Sequence, residues 1–389
     1  MSRVYLNALG IINALGTDPA TVRRGLTAGS TAGMLRRDDL IARRPVHAGT
    51  VEMTLPALPA ELAAYESRNN RLLTAALRQI RAAVDAALFR HGPKRVGIVI
   101  GTSTSGIEEA RRALAELERD GHFPAGYDYR QQEISSPGEY LRRLLGVKGP
   151  SWTVSTACTS SAKAFSSARR LILSGLCDAV VVGGVDSLCR LTPNGFGALE
   201  SLSQGLCNPS SRNRDGINIG EGAALFLMSR EPGSVALLGL GESSDAHHIS
   251  GPDPEGQGAE LALRQALGEA GAASVDYLNL HGTATQLNDQ MENKVVNRVL
   301  GPDVPCSSTK PLVGHTLGAA GATEAAFCWM LLTEGRAAVL PPHVWDGVAD
   351  PALARVNLCG VGYSPGPCRV VASNSFAFGG NNACLILGN

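Results

Sequence analysis

Cys158 lies in the run Thr153-Val154-Ser155-Thr156-Ala157-Cys158-Thr159-Ser160-Ser161-Ala162. A short strand pattern leads into it and a helical pattern leaves it. A cysteine at such a junction has the first free N–H groups of the helix near its sulfur, and the helix dipole there favours a thiolate. Taken alone, it would read as a small buried hydrophobe. Its neighbours are small, however, and leave room for a reactant to reach the sulfur. A thiolate nucleophile needs partners that handle protons and stabilise an oxyanion. Two glycine-flanked histidines are the candidates: His281 in His281-Gly282-Thr283-Ala284-Thr285, and His315 in Gly314-His315-Thr316-Leu317-Gly318.

One chemistry suits that set. Joining two acyl units needs a carbon nucleophile at neutral pH, and decarboxylating a malonyl thioester generates one. The enolate then places its charge on the thioester oxygen, where two imidazole N–H donors in a water-poor site would stabilise it. A neutral imidazole donates from one nitrogen only, so its tautomer matters. Each residue also has a plainer reading. His281 could be a strand-end histidine bonded to backbone, and His315 a helix starter. Lys310, in Ser308-Thr309-Lys310-Pro311, is followed by small or apolar residues that argue for partial burial. A buried lysine needs a carboxylate, and Glu292 is the expected partner. Phe376 and Phe378 could be core aromatics or, with glycines following, a mobile gate.

The elements that must position these residues form a weak internal repeat. The strand Val96–Ile100, followed by Gly101-Thr102, parallels Tyr277–His281, followed by Gly282-Thr283. Cys158 opens a helix running toward Ser174-Gly175, followed by a strand at Ala179–Val182. His315 opens one running toward Glu334-Gly335, followed by a strand at Ala337–Leu340. Gly220–Leu227 closes the first half as Gly379–Ile386 closes the second. Three pairs in the same order imply duplication, and alternating strands and helices imply α/β layers. A helix between two such sheets should be unusually apolar. Ala162–Leu173 fits in part, but Lys163, Arg169 and Arg170 do not. The turn-rich break Arg230-Glu231-Pro232-Gly233-Ser234 is the expected join, giving halves 1–232 and 233–389.

Bulk properties exclude several classes. The 389 residues carry no net formal charge, so there is no electrostatic case for nucleic acid or a membrane surface. No stretch approaches the roughly 20 apolar residues of a membrane helix. The mildly apolar Val4–Gly16, with Asn7 and Asn13, reads as a first strand and turn rather than a signal peptide. Nine cysteines without a Cys-x-x-Cys pair suit free thiols in a reducing cytoplasm. His247 and His248 are adjacent; on a strand they would face opposite ways, so they are poor joint ligands and no metal is expected.

Together the motifs resemble the β-ketoacyl-acyl-carrier-protein synthases, condensing enzymes of the thiolase-like superfamily, in their Cys-His-His form. The resemblance covers nearly the whole chain. It implies a duplicated, five-layered α-β-α-β-α fold with the active site between the halves, and no cofactor. It implies Cys158 as the acyl acceptor and His281 and His315 as the residues acting on the extender thioester, with Lys310 and Glu292 in support. Phe376 and Phe378 belong to its glycine-rich gate, and the backbone N–H groups of Cys158 and Phe378 are its oxyanion donors. Thr283 and Thr285 match threonines that contact a carrier's pantetheine arm; holding a tight turn is the other reading. Arg68 and Arg71 sit where part of an acidic carrier protein's dock is expected, or on a solvated helix face.

Two departures set this chain apart from housekeeping enzymes. Asn208-Pro209-Ser210-Ser211 replaces the family's Arg-Pro-Phe-Asp, and position 377 is Ala rather than Gly. The run Asn213-Arg214-Asp215-Gly216-Ile217-Asn218-Ile219-Gly220-Glu221-Gly222 looks more like synthases of aryl-polyene-type chains. Rival readings are a chain-length-factor-like silent partner, a thiolase and a cysteine hydrolase. The three catalytic-type residues disfavour the first, and the two glycine-flanked histidines the second. A hydrolase would need a wet site. The implied partners are acyl- and malonyl-loaded carrier protein, plus a second subunit that is either a copy or a chain-length-factor-like relative.

Overall fold

The computed structural model describes residues 3–333 and 338–389. The chain runs β1 (Val4–Asn13), α1 (Pro19–Thr27), β2 (Met34–Arg37), β3 (Val46–Gly49), α2 (Arg68–His91), β4 (Val96–Gly101), α3 (Ile107–Asp120) and α4 (Ser136–Leu145). It continues through β5 (Ser151–Val154), α5 (Ser160–Leu173), β6 (Ala179–Asp186), α6 (Leu191–Ala198), β7 (Ile219–Gly220) and β8 (Gly222–Ser229). The second half has β9 (Ala236–Ser244), α7 (Gln257–Ala270), β10 (Tyr277–Asn279), α8 (Gln286–Leu300), β11 (Pro305–Ser307) and the one-turn α9 (Lys310–Val313). It ends with α10 (Ala320–Thr333), β12 (Asn357–Leu358), β13 (Val370–Ala377) and β14 (Asn381–Gly388).

The duplication is written into the strand order. From a central seam one wing runs β1-β8-β6-β4-β5, and the other β9-β14-β13-β10-β11, extended by β12. Only two residue pairs, Val4 with Leu237 and Tyr5 with Ala236, join β1 to β9 across the seam. In both wings the strands nearest the seam are antiparallel and the outer ones parallel. β4 therefore answers to β10, and β8 to β14, as the sequence pattern expects. The counterpart of β6 is β13. Ala338–Leu340 forms no strand, because Leu340 bonds the Tyr363 carbonyl outside any ladder. Ala337 and the expected helix end at Glu334–Gly335 lie outside the described residues.

Layering follows from what each helix face buries. α2 covers β1, β8 and β6 from one side, and α7 covers β9 and β14 from the other. Between the wings lie α5 and α10, each touching strands of both. The helix with no polar face is α10, buried from Ala320 to Leu332 apart from the partly covered Trp329. α5 keeps one wet edge, where Lys163 donates to Asn381 and Arg169 and Arg170 pair with Glu269 and Glu242. The result is the five-layered thiolase-like fold. β5 pairs with β4 alone and leaves an open edge, on which Trp152 is exposed. Among the described residues no helix is long and apolar enough to cross a membrane.

Candidate active site

Cys158 stands in the turn between β5 and α5. Ala157 before it adopts a left-handed φ of 50°, a costly position for a residue with a Cβ. The turn is held by Thr156 N–H on Ser160 Oγ (2.9 Å) and by Ser103 Oγ–H on the Ala157 carbonyl (3.2 Å). α5 presses its first turn onto β4 at Gly101, where a Cβ would meet Ser161 N at 2.3 Å. Only glycine lets the cysteine turn sit so deep.

His315 comes from the facing wing. Its N–H donates to the Asn218 carbonyl at 2.7 Å and its carbonyl accepts from Gly220 N–H at 2.9 Å. The Asn218–Gly220 part of the run singled out by sequence is thus the rail that holds this histidine's backbone. Its imidazole Nε2 lies 2.9 Å from Cys158 Sγ. The His281 ring stands edge-on to it, centroids 5.4 Å apart, and packs on the Phe376 ring at 5.7 Å. Cys158, His281, His315 and Phe376 line one cavity of about 260 Å³, together with Thr283, Thr285 and Phe378.

Burial sets the electrostatics. Burial works against the expected thiolate: it pushes the Cys158 thiol up to about 12, against the opposing charge of Lys310. Asp186 and Glu324 push it the same way as burial, and the cysteine's own backbone N–H opposes them weakly. Burial therefore outweighs whatever the helix start contributes at the sulfur. Burial also holds both imidazoles well below the ordinary histidine value, with Lys310 adding to it. Each is therefore neutral at pH 7. Both Nδ1 atoms are buried without a protein partner.

The expected Lys310–Glu292 pair does not form. Lys310 Nζ donates to Glu324 Oε1 at 2.6 Å, with both side chains almost sealed from solvent. Glu292 is committed elsewhere: its two oxygens accept from His281 N–H (2.8 Å) and Gly282 N–H (2.7 Å). It thereby fixes the backbone of the histidine turn. Burial pushes its carboxyl up to about 7, against those two bonds. Sequence offered one clue to Glu324, a lone acid in an otherwise apolar helix nine residues after His315.

The two phenylalanines separate by position. Phe376 is 4 % exposed against His281; Phe378 is 38 % exposed at the mouth, its ring 5.5 Å from that of Phe196 on α6. Ala377 adopts an extended backbone with φ of −144°, and the left-handed turn falls on Gly379 and Gly380 instead. Thr283 and Thr285 hydroxyls are 3.0 Å apart across Ala284, whose N–H donates to the buried Asp289. Asp289 also accepts from Ser210 N–H at 2.7 Å, so the departing Asn208–Ser211 segment is tied to this turn.

Arg68 and Arg71 lie outside the cavity lining, and both are engaged within the chain. Arg68 clamps the fully buried Glu221, and Arg71 pairs with Glu66. A carrier would have to compete with those pairs. His247 and His248 follow the end of β9 at Ser244, on an exposed loop rather than on a strand. Asp186, Asp289 and Phe196 were not singled out by sequence; none carries a local motif.

Two related wings that enclose a buried cysteine and two neutral imidazoles define a condensing enzyme of thiolase-like fold. Residues 11–232 match the Beta-ketoacyl synthase, N-terminal domain, and residues 235–344 the Beta-ketoacyl synthase, C-terminal domain. The chain belongs to the β-ketoacyl synthase family, and its activity is that of a 3-oxoacyl-[acyl-carrier-protein] synthase, a transferase. It is 31% identical to the 3-oxoacyl-[acyl-carrier-protein] synthase 2 of Rhizobium meliloti (strain 1021), over 100% of this chain and 99% of that one. It is 30% identical to Nodulation protein E of the same strain, over 98% of each. Among solved structures it is similar to the ketosynthase ApeO, in complex with its chain length factor ApeC, from Xenorhabdus doucetiae. The TM-score is 0.94 at 47% identity, over 100% of this chain and 98% of that one.

Proposed function

We propose that residues 1–232 supply the acyl acceptor, Cys158, and residues 233–389 the decarboxylation residues, His281 and His315. The observation that carries this is the 2.9 Å contact between Cys158 Sγ and His315 Nε2, with His281 edge-on beside it in one cavity. In acylation, Sγ attacks the carrier thioester carbon and the bond to pantetheine sulfur breaks. The thiol proton passes through His315 Nε2 to the departing thiolate. A malonyl-carrier then enters past Thr283 and Thr285. Its carboxylate leaves as carbon dioxide, and the electron pair forms an enolate whose oxygen takes the two imidazole N–H bonds. The enolate carbon attacks the Cys158 acyl carbon. Backbone N–H groups of Cys158 and Phe378 receive that second oxyanion; it collapses, the bond to Sγ breaks, and the departing Cys158 thiolate takes up from solvent the one proton that decarboxylative condensation consumes.

Lys310 and Glu324 support the site as a buried ion pair, Glu292 holds the His281 turn, and Phe376 and Phe378 form the gate. The likeness to ApeO supports chain elongation of the aryl-polyene type. It also favours a chain-length-factor-like relative as the second subunit, seated on the open edge of β5. All nine cysteines are buried, with no disulfide among the described residues, in keeping with a cytoplasmic enzyme.

The test separates the half-reactions. His281→Ala and His315→Ala should still accept acyl groups on Cys158, His315→Ala more slowly because its Nε2 relays the thiol proton, seen by time-resolved intact-protein mass spectrometry. Release of carbon dioxide from malonyl-carrier should fall by about 10²–10³ for each lost donor. Full release by both variants would remove these histidines from the mechanism.

A further inference from the structure

The end of β6 carries a fully buried carboxylate to which the mechanism above gives no part. Asp186 Oδ1 accepts four hydrogen bonds from one loop: Thr102 Oγ1 (2.8 Å), Ser103 N–H (2.8 Å), Thr104 N–H (2.7 Å) and Thr104 Oγ1 (2.7 Å). Its Oδ2 accepts from Ala319 N–H at 3.0 Å, in the loop that carries His315. The 102–104 loop in turn props the cysteine turn, because Ser103 Oγ bonds the carbonyl of Ala157, the left-handed residue before Cys158.

We infer that Asp186 is a positioning residue for the condensation, one oxygen fixing the loop beneath Cys158 and the other fixing the His315 loop at its working distance from the sulfur. The two oxygens serve the two wings separately. Bringing a carboxylate out of water costs several kcal/mol, which is tolerable only where its lone pairs are filled. Here they are filled by donors from the segments that must not drift. The inference rests on the roles proposed for Cys158 and His315.

This division makes Asp186→Asn a selective probe. An amide oxygen in the Oδ1 place can still take all four donors of the 102–104 loop. The amide nitrogen then faces Ala319 N–H, donor against donor. The flipped amide would spoil four bonds instead of one and is disfavoured. The substitution should therefore leave the cysteine turn in place and release the His315 loop.

Three readouts test it: acylation of Cys158, carbon dioxide release from malonyl-carrier, and thermal unfolding. Asp186→Asn should keep acylation within about fivefold and lose about 10²-fold in carbon dioxide release, as for one lost donor. Because it acts through His315, adding it to His315→Ala should slow carbon dioxide release no further. Thr104→Val removes an Oδ1 donor, together with the bond that Thr104 Oγ1 accepts from Ser187 N–H at 3.2 Å, and touches nothing on Oδ2; it should show the opposite bias, with acylation falling more than carbon dioxide release. That variant also serves if Asp186→Asn fails to fold. Equal loss in both half-reactions, wild-type rates in both, or an additive effect with His315→Ala overturns the inference. Full carbon dioxide release by His315→Ala alone would instead strike at the role proposed for that histidine.

Discussion

Lys310 Nζ and Glu324 Oε1 meet at 2.6 Å behind the two imidazoles, and neither side chain is more than 3 % exposed. The lysine reaches up from α9 and the glutamate across from α10, so the pair clamps the two ends of the segment that holds His315. Its charge matters as much as its geometry. Lys310 is the main group opposing the burial of Cys158 as a thiol, and it helps keep both histidines neutral.

Removing either partner leaves a stranded buried charge. Lys310→Met and Glu324→Gln should each cost about 3–5 kcal/mol in urea unfolding. The double change Lys310→Met with Glu324→Leu should regain much of that stability without regaining condensation. Additive losses in the double variant would show that the two side chains do not act as a pair.

Cys158 should behave as a thiol. Its rate of alkylation by iodoacetamide should keep climbing through pH 9 and above, because burial pushes the group up to about 12. A plateau near pH 7 would mean that the helix start dominates after all. Peptide mapping should find the adduct on Cys158 rather than on Cys306 or Cys384.

Glu292 should supply the inflection of decarboxylation near neutral pH. Its carboxyl is raised to about 7, while His281 and His315 titrate well below 6.5. Above pH 7 the carboxylate accepts both backbone N–H groups of the His281 turn. Below pH 7 protonation turns one acceptor into a donor, so the rate should fall as pH drops through that value. Glu292→Gln, fixed in the weaker state, should run slower with no inflection near 7. An unchanged inflection in that variant would assign the titration elsewhere.

The two phenylalanines should part company. Phe376→Ala empties a buried site against His281 and should cost about 3–5 kcal/mol in stability together with decarboxylation. Phe378→Ala, at the half-open mouth, should leave stability within about 1 kcal/mol. It should speed entry of a bulky alkylating agent to Cys158. Equal destabilisation by both would contradict their different burial.

The edge of β5 predicts where a second subunit sits. Trp152→Lys puts a charge on that strand and should weaken association, read by native mass spectrometry after co-expression with candidate relatives. A fully active monomer would count against a required partner.

Cys158, His281 and His315 were legible because each sits in a short run of small residues, where close approach leaves a local mark. β4 with β10 and β8 with β14 were legible for a similar reason, since glycines recur at equivalent bends. What sequence misplaced depended on distant segments. Glu292 lies eleven residues after His281 and looked like a partner for Lys310, but the backbone N–H groups beside that histidine claim it first. The thiolate reading weighed the helix behind Cys158 and not the wing that closes over it. The match to β6 failed over its described part, Ala338–Leu340, because β13 enters that place from about 30 residues further on, and no local pattern carries that information.

The all-round burial of α10 bears on how the protein is made. During synthesis the first wing is complete once Ser229 has left the ribosome, yet α10, which covers part of its inner face beside α5, has its described residues at Ala320–Thr333. Until then the stretches of β8, β6 and β1 that α10 covers face the cell, with α5 alone over the inner side of β6. The nascent chain must be held soluble across a gap of about one hundred residues. A chaperone that grips exposed sheet faces should therefore engage ribosome-bound chains stalled in that interval, and release them once α10 has emerged.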